Sequence, residues 1–329
     1  MHRLIEQLFL PVFGTHPNWQ HDAARLEIAG GQIAFTTDSY VVSPLFFPGG
    51  NIGTMAVYGT VNDLAMSGAK PLYLSLSFIL EEGLSMETLW QVVQSIQAAA
   101  TQAGVQIVTG DTKVVERGKG DGLYINTAGI GVIEHPWHIR ASAVQPGDVI
   151  LLSGDIGRHS IAIMSQREGL AFETNLESDL APVWPTVQAL LASGIEIHCL
   201  RDLTRGGLAT ALHEIAMAAH CTIQLQDNIP VQPAVQGACE ILGLDPLYLA
   251  NEGRFIAIVP AAAAEIALQV LQKSNTDPKS NLPAQTIGLV ASREEGAVLT
   301  SMSSVQQQTE LGGNRMIDYR NGDLLPRIC

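Results

Sequence analysis

A chain of 329 residues is longer than a single core usually organises, and its length points to two domains. Hydrophobic residues make up 47% and charged residues 15%, a globular composition that excludes a disordered chain. The net charge of −14 argues against nucleic acid or an anionic membrane as the main partner, so any bound polyphosphate needs local help from metal ions, backbone amides or a few basic side chains.

No apolar run approaches the roughly 18–20 residues that span a bilayer. The opening M-H-R-L-I-E lacks a signal-peptide layout. Four cysteines, at 199, 221, 239 and 329, form no C-x-x-C pair and no zinc-finger spacing. Cys199, Cys221 and Cys239 lie in apolar stretches and read as small buried hydrophobes. These features predict a soluble, reduced, cytoplasmic protein.

In chain order, residues 32–36 read as a strand running into Asp38, followed by a Gly/Pro loop at 47–53 and a helix from 54 to about 67. Residues 72–80 are β-rich. The clearest helix covers 85–103: Ser85 is a plausible N-cap, Gly104 can end it, and Leu89, Val92, Val93, Ile96 and Ala100 mark one buried face. A short strand at 105–109 delivers the G-D-T-K of 110–113, and a long strand at 123–134 closes the first half. His135-Pro-Trp is a natural boundary, because Pro stops the strand and the pattern restarts after it. Helices are expected near 157–168, 186–193, 206–219, 233–242 and 261–273, separated by strands near 195–200, 221–226, 254–259 and 284–290. The expected domains are 1–137, 138–315 and a polar tail, 316–329, in an α/β plus α+β architecture.

No Walker A sequence and no strand-following G-x-G-x-x-G exists, so a nucleotide needs a different device. Asp38, Asp63, Asp111 and Asp202 each lie where an element meets a loop, and such hard oxygen ligands suit Mg2+. A lone Asp at such a place is more commonly a cap or turn residue. The T-R-G-G of Thr204, Arg205, Gly206 and Gly207 opens a helix and could form an anion site. Gly49 and Gly50 have the same potential ahead of their own helix, although Gly pairs are more often plain turns. Lys113 could point a cation into a pocket shared with Asp111, against the default of a solvated lysine. Glu252, in N-E-G-R, could be a general base or an ordinary loop carboxylate. His159, His198, His213 and His220 form no metal-binding pattern and receive no role. Cys329 is an exposed, oxidisable ending unless it is used, and it reads as a mobile carrier of a small group.

Taken together, T-D-S-Y-V-V-S-P-L-F-F-P-G-G-N-I-G at 37–53, G-T-V-N-D-L-A-M-S-G-A at 59–69, V-T-G-D-T-K-V-V at 108–115, R-D-L-T-R-G-G at 201–207, A-N-E-G at 250–253 and the ending P-R-I-C resemble the HypE family of hydrogenase maturation factors. The likeness runs over nearly the whole chain. One departure is that the family's Gly-rich H-G-S-G-G-like opening has no counterpart at the start of this sequence. The resemblance implies a two-domain PurM-like fold, with an N-terminal sheet that pairs across a homodimer and ATP bound in the cleft between domains. It implies ATP-dependent dehydration of an S-carbamoyl group on Cys329 to a thiocyanate. The carbamoyl group would come from the carbamoyltransferase HypF, and the cyanide would go to iron held by the HypC–HypD pair. By the same likeness Asp38, Asp63, Asp111 and Asp202 would hold Mg2+; Thr204, Arg205, Gly206, Gly207, Gly49, Gly50 and Asn62 would contact nucleotide; and Lys113 and Glu252 would act with Cys329 in catalysis. Two alternatives stay open: another ATP enzyme of the superfamily, such as a selenophosphate synthetase or a small-molecule kinase, and a non-catalytic scaffold that docks partners through its tail.

Overall fold

The computed structural model describes residues 5–13, 31–167, 176–274, 277, 279–292, 305–309 and 312–319. Cys329 and the other tail residues from 320 onward lie outside the described residues, as does the segment before residue 5. Among the described residues no helix is long and apolar enough to cross a membrane.

The first body is built on strands β1 (Gln32–Tyr40), β4 (Ala69–Glu81), β5 (Gln106–Val115) and β6 (Leu123–Ile133), in the order β1-β6-β4-β5. A small hairpin, β2 (Phe46–Phe47) and β3 (Gly50–Asn51), precedes the first long helix. The short helix α1 (Leu10–Phe13) is followed in sequence by α2 (Ile52–Met66) and α3 (Met86–Ala103). Helix α2 starts two residues earlier than the sequence suggests, because the Asn51 side chain accepts the N–H groups of Gly53 and Thr54. It is apolar nearly all round and is correspondingly buried, packed against β1, β6 and α3 and reaching into the second body. Helix α3 follows its signals: Ser85 Oγ accepts from Thr88 N at 3.0 Å, and Gly104 ends the helix at φ 70°.

The second body is a seven-stranded sheet of β7 (Val149–Leu152), β8 (Cys199–Asp202), β9 (Thr222–Leu225), β10 (Phe255–Val259), β11 (Gln285–Ala291), β12 (Val305–Gln308) and β13 (Asn314–Met316), ordered β13-β12-β9-β11-β7-β10-β8. Its helices are α4 (Arg158–Arg167), α5 (Trp184–Ala192), α6 (Gly207–Ala219), α7 (Pro233–Leu242) and α8 (Ala264–Ser274). Strand β10 is buried on both faces, which explains its unbroken F-I-A-I-V. Phe255, Ala257 and Val259 face α5 and α8, whereas Ile256 and Ile258 face α6.

Two expectations change here. The G-D-T-K stretch does not leave a strand end, because β4 is long enough to supply ladder partners up to Glu81↔Val115, so Gly110–Lys113 remain within β5. Asp38 likewise sits inside β1, opposite Thr127 of β6. Strands β12 and β13 carry too little apolar periodicity to be legible in the sequence. They nevertheless extend the second sheet to Met316, and Ile317 packs into its core.

Candidate active site

The two bodies meet along α2, and the carboxylates gather at that seam. Thr36 and Asp38 share the helix-facing side of β1 with buried Tyr40. From there Thr36 Oγ1 donates to Asp63 of α2 at 2.9 Å. Asp202 arrives at the end of β8, and Glu252 in the turn before β10, 8% and 5% exposed respectively.

These groups act on one another. Asp202 is pushed up to about 7, chiefly by burial, then by the charge of Asp63, with Arg201 opposing. Burial and repulsion from Asp202, Asp179, Asp38 and Asp63 hold Glu252 well above the usual carboxylate range. Asp63 is raised as well, mainly by burial, while its bond from Thr36 opposes the shift. Arg201 is the cation that acts on both Asp63 and Asp202, and it is also paired at 2.7 Å with the exposed Glu214.

A buried set of mutually repelling carboxylates is a donor set that a hard divalent cation would stabilise. Among the described residues no three His, Cys, Asp or Glu side chains close into a metal cage by themselves. Asp38, Asp63 and Asp202 are the residues that would hold such a cation, and hard oxygen ligands of this kind suit Mg2+.

The shift at Asp202 carries a sign. Its folded value of about 7 lies above the ordinary value of 3.8, so the folded chain binds the extra proton between those limits. Stability from this group is complete below pH 3.8 and is lost progressively as pH rises to about 7. In EDTA, Asp202→Asn is expected to stabilise the chain at pH 8 by roughly 2–4 kcal/mol and to leave it little changed at pH 4. Melting curves at the two pH values check this, and an equal effect at both would contradict it.

Asp111 and Lys113 are not with this group. They form an exposed pair with each other at 2.7 Å, and Lys113 is the main cause of the lowered Asp111 carboxyl. Register places Asp111 beside Ser77, Asn126 and Ser39 on the outward face of the sheet, opposite the face that carries Asp38. Of the four aspartates expected to hold Mg2+, this chain brings Asp38, Asp63 and Asp202 to one side of the sheet and leaves Asp111 on the other.

Asn62 also departs from expectation. Its amide donates to Ala181 O and Glu252 O, both at 3.1 Å, and its oxygen accepts from Val183 N at 2.9 Å. At 3% exposed it clasps the two bodies together, and with both N–H donors used it has none left for a phosphate.

The glycines serve close approach. Gly206 and Gly207 both have positive φ, 74° and 61°, and a Cβ on Gly207 would meet Leu249 O at 2.5 Å. The Gly207 N–H is already bonded to Thr204 O, so its role here is spacing. Thr204 is half-buried and Arg205 exposed at the start of α6. Gly49, at φ 92°, and Gly50 let the hairpin lie against residues 177–180, where a Cβ on Gly49 would meet Ser178 N at 2.8 Å.

Several buried polar residues had no signal strong enough to read. Asp179 accepts the backbone N–H groups of Glu252 and Gly253, at 3.4 and 3.1 Å, and so holds the Glu252 turn. Next to it, Arg158 and Arg254 are shared between Asp155 and Asp277 in a buried ionic network. The S-G-D-I-G-R-H of 153–159 is a Gly-rich hint of Asp155, whereas Asp179 and Asp277 come from unpatterned loops. Cys199, Cys221 and Cys239 are buried, and burial pushes their thiols up to about 12, 11 and 11, which makes them inert as expected.

Comparison with known proteins gives a consistent result. Residues 20–133 match the model of the AIR synthase related protein N-terminal domain, and residues 145–300 match that of the corresponding C-terminal domain. Carbamoyl dehydratase HypE of Azotobacter vinelandii is 48% identical over 100% of this chain and 94% of its own length. A crystal structure of hydrogenase maturation protein HypE in complex with ATP superposes with a TM-score of 0.90 at 48% identity, covering 100% of this chain and 96% of that one. A chain from a crystal structure of a HypE–HypF complex gives a TM-score of 0.81 at 42% identity, covering 96% and 99%.

Proposed function

The chain belongs to the HypE family of carbamoyl dehydratases, and from that membership we propose how its residues act. It dehydrates an S-carbamoyl group to an S-cyano group at the expense of ATP, in the maturation of [NiFe] hydrogenase. The carrier is the thiol of Cys329. A carbamoyl oxygen is a poor leaving group, so it is first phosphorylated: the oxygen attacks the γ-phosphorus, ADP departs, and one N–H proton is lost. The second N–H proton is then removed as the C–O bond breaks, which leaves S–C≡N and inorganic phosphate.

The observation that carries this reading is the placement of Glu252. It is a buried carboxyl with a raised proton affinity, it lies among Asp38, Asp63 and Asp202, and Asp179 and Asn62 hold its backbone. A carboxylate of raised pKa is suited to taking the nitrogen protons near neutral pH. Mg2+ held by Asp38, Asp63 and Asp202 would supply charge neutralisation at the transferring phosphoryl group. Thr204, Arg205 and Gly206, at the start of α6, are the residues for nucleotide contact, aided by the N-terminal end of that helix.

A homodimer that pairs the outward sheet faces would carry Asp111 and Lys113 to the subunit interface, since neither shares a face with Asp38. That face carries exposed Ile33, Phe35 and Ile79, and such apolar surface favours being covered. HypF is the source of the carbamoyl group, the HypC–HypD pair holds the iron that receives cyanide, and the setting is the cytoplasm.

The test is intact mass after incubation with HypF, carbamoyl phosphate, Mg2+ and ATP. Carbamoylation adds about 43 Da, falling to about 25 Da on dehydration, by the atoms exchanged at sulfur. Peptide mapping is expected to put both additions on Cys329. Either addition found only on another residue overturns the reading.

A further inference from the structure

Just before residues 320–329 the chain is gripped at two consecutive carbonyls. His213 Nε2 lies 2.8 Å from Ile317 O, and the Tyr248 hydroxyl donates to Asp318 O at 2.8 Å. A carbonyl only accepts, so Nε2 carries a proton and donates it, while burial lowers the proton affinity of the ring. The same imidazole meets the Tyr319 ring edge-on, at 5.6 Å and 72°. Ile317, 2% exposed, and its N–H bond to Val305 O pack the end of β13 on the core, and the two polar grips close over that same end.

Both grips belong to elements that build the active site. His213 lies on α6, which opens at Gly207, and Tyr248 lies in the 246–248 turn that packs on Gly207, four residues before Glu252. We propose that His213 and Tyr248 are positioning residues: they anchor the origin of the tail so that it delivers the Cys329 thiol to the Glu252 cleft. This rests on the reading of Cys329 as the carrier.

The lengths agree with that role. From Asp318 O, through the Tyr248 side chain and along the backbone to Glu252, the path is at most roughly 25 Å. The eleven residues from Tyr319 to Cys329 span up to about 36–40 Å when extended, so the thiol reaches the cleft with slack. Without the grips, residues 317–319 join the tether. Strand β13 is solvent-exposed along its length and pairs with β12 through Gln306↔Met316, Gln307↔Arg315 and Gln308↔Asn314, so it can then peel away. Peeling lengthens the tether to roughly twice its anchored length, and effective concentration, falling as about the −3/2 power of length, drops by roughly threefold.

The experiment is single-turnover conversion of the carbamoylated chain at saturating ATP, read by intact mass, with ATP affinity measured in parallel. Tyr248→Phe keeps the packed ring and removes only the hydroxyl. The double variant His213→Ala with Tyr248→Phe is expected to convert about threefold or more slowly, with ATP affinity unchanged. His213→Gln, whose amide can donate to the same carbonyl, is expected to keep most of the wild-type rate. A wild-type rate in the double variant, a matching loss of ATP affinity, or a His213→Gln rate as slow as that of His213→Ala overturns the anchor. A wild-type chain that never passes from the carbamoyl to the cyano mass overturns the carrier reading itself, and the anchor falls with it.

Discussion

Glu252→Gln is expected to stall the chain at the carbamoyl adduct, slowing its conversion to the cyano adduct by about 10²–10⁴-fold, the usual worth of a positioned general base. The substitution is close to isosteric. The backbone bonds of residue 252 to Asn62 and Asp179 do not involve its side chain and should persist. The neutral amide also removes a carboxyl that burial and Asp202 already disfavour as an anion, so the melting temperature should hold or rise slightly. Rate and stability are thereby separated: a fall in rate without a fall in stability identifies a chemical role. Conversion within a few-fold of wild type would remove Glu252 from the mechanism.

Arg254→Met is expected to destabilise the chain by about 3–5 kcal/mol, lowering its melting temperature by roughly 10 °C. Arg254 is 2% exposed, and its guanidinium donates to the Asp155 carboxylate at 2.7 Å, to Asp155 O at 3.0 Å and to Asp277. Removing it leaves Asp155, which is 0% exposed, with Arg158 as its remaining guanidinium partner. The cost is that of an uncompensated buried charge, which exceeds the net worth of the intact pair. Because residue 254 directly follows the Glu252 turn, activity should fall along with stability. Arg254→Lys keeps the charge but loses the fork and should fall between the two. A melting temperature within a degree or two of wild type for Arg254→Met would show that Arg158 alone compensates Asp155 and Asp277.

The ionic network also shows why local reading missed part of the site. Asp155, Asp179, Asp277 and Arg254 stand far apart in sequence, and each resembles an ordinary loop or strand-end residue. Their common burial is a property of the folded seam alone. Asn62 shows the converse. Its neighbours in G-T-V-N-D-L suggested ligand chemistry, but α2 turns it toward residues 181–183 and 252 of the second body, where both its N–H donors are used.

Periodicity and punctuation alone determined most elements: the Ser85–Gly104 helix, the apolar run of β10 and the stop of β6 before His135-Pro. Those patterns are local, set by side-chain spacing and capping chemistry over a few residues. The motif set carried the family and, with it, the reaction expected at Cys329. Only the tertiary structure decided which residues share a face. Side chains alternate along a strand, so the same sheet turns Asp38 inward to α2 and Asp111 outward with Lys113. It also decided that Glu252 is held as a raised-pKa carboxyl, because that shift comes from burial and from charges on β1, α2, β8 and the 176–183 segment, which meet only when the two bodies close.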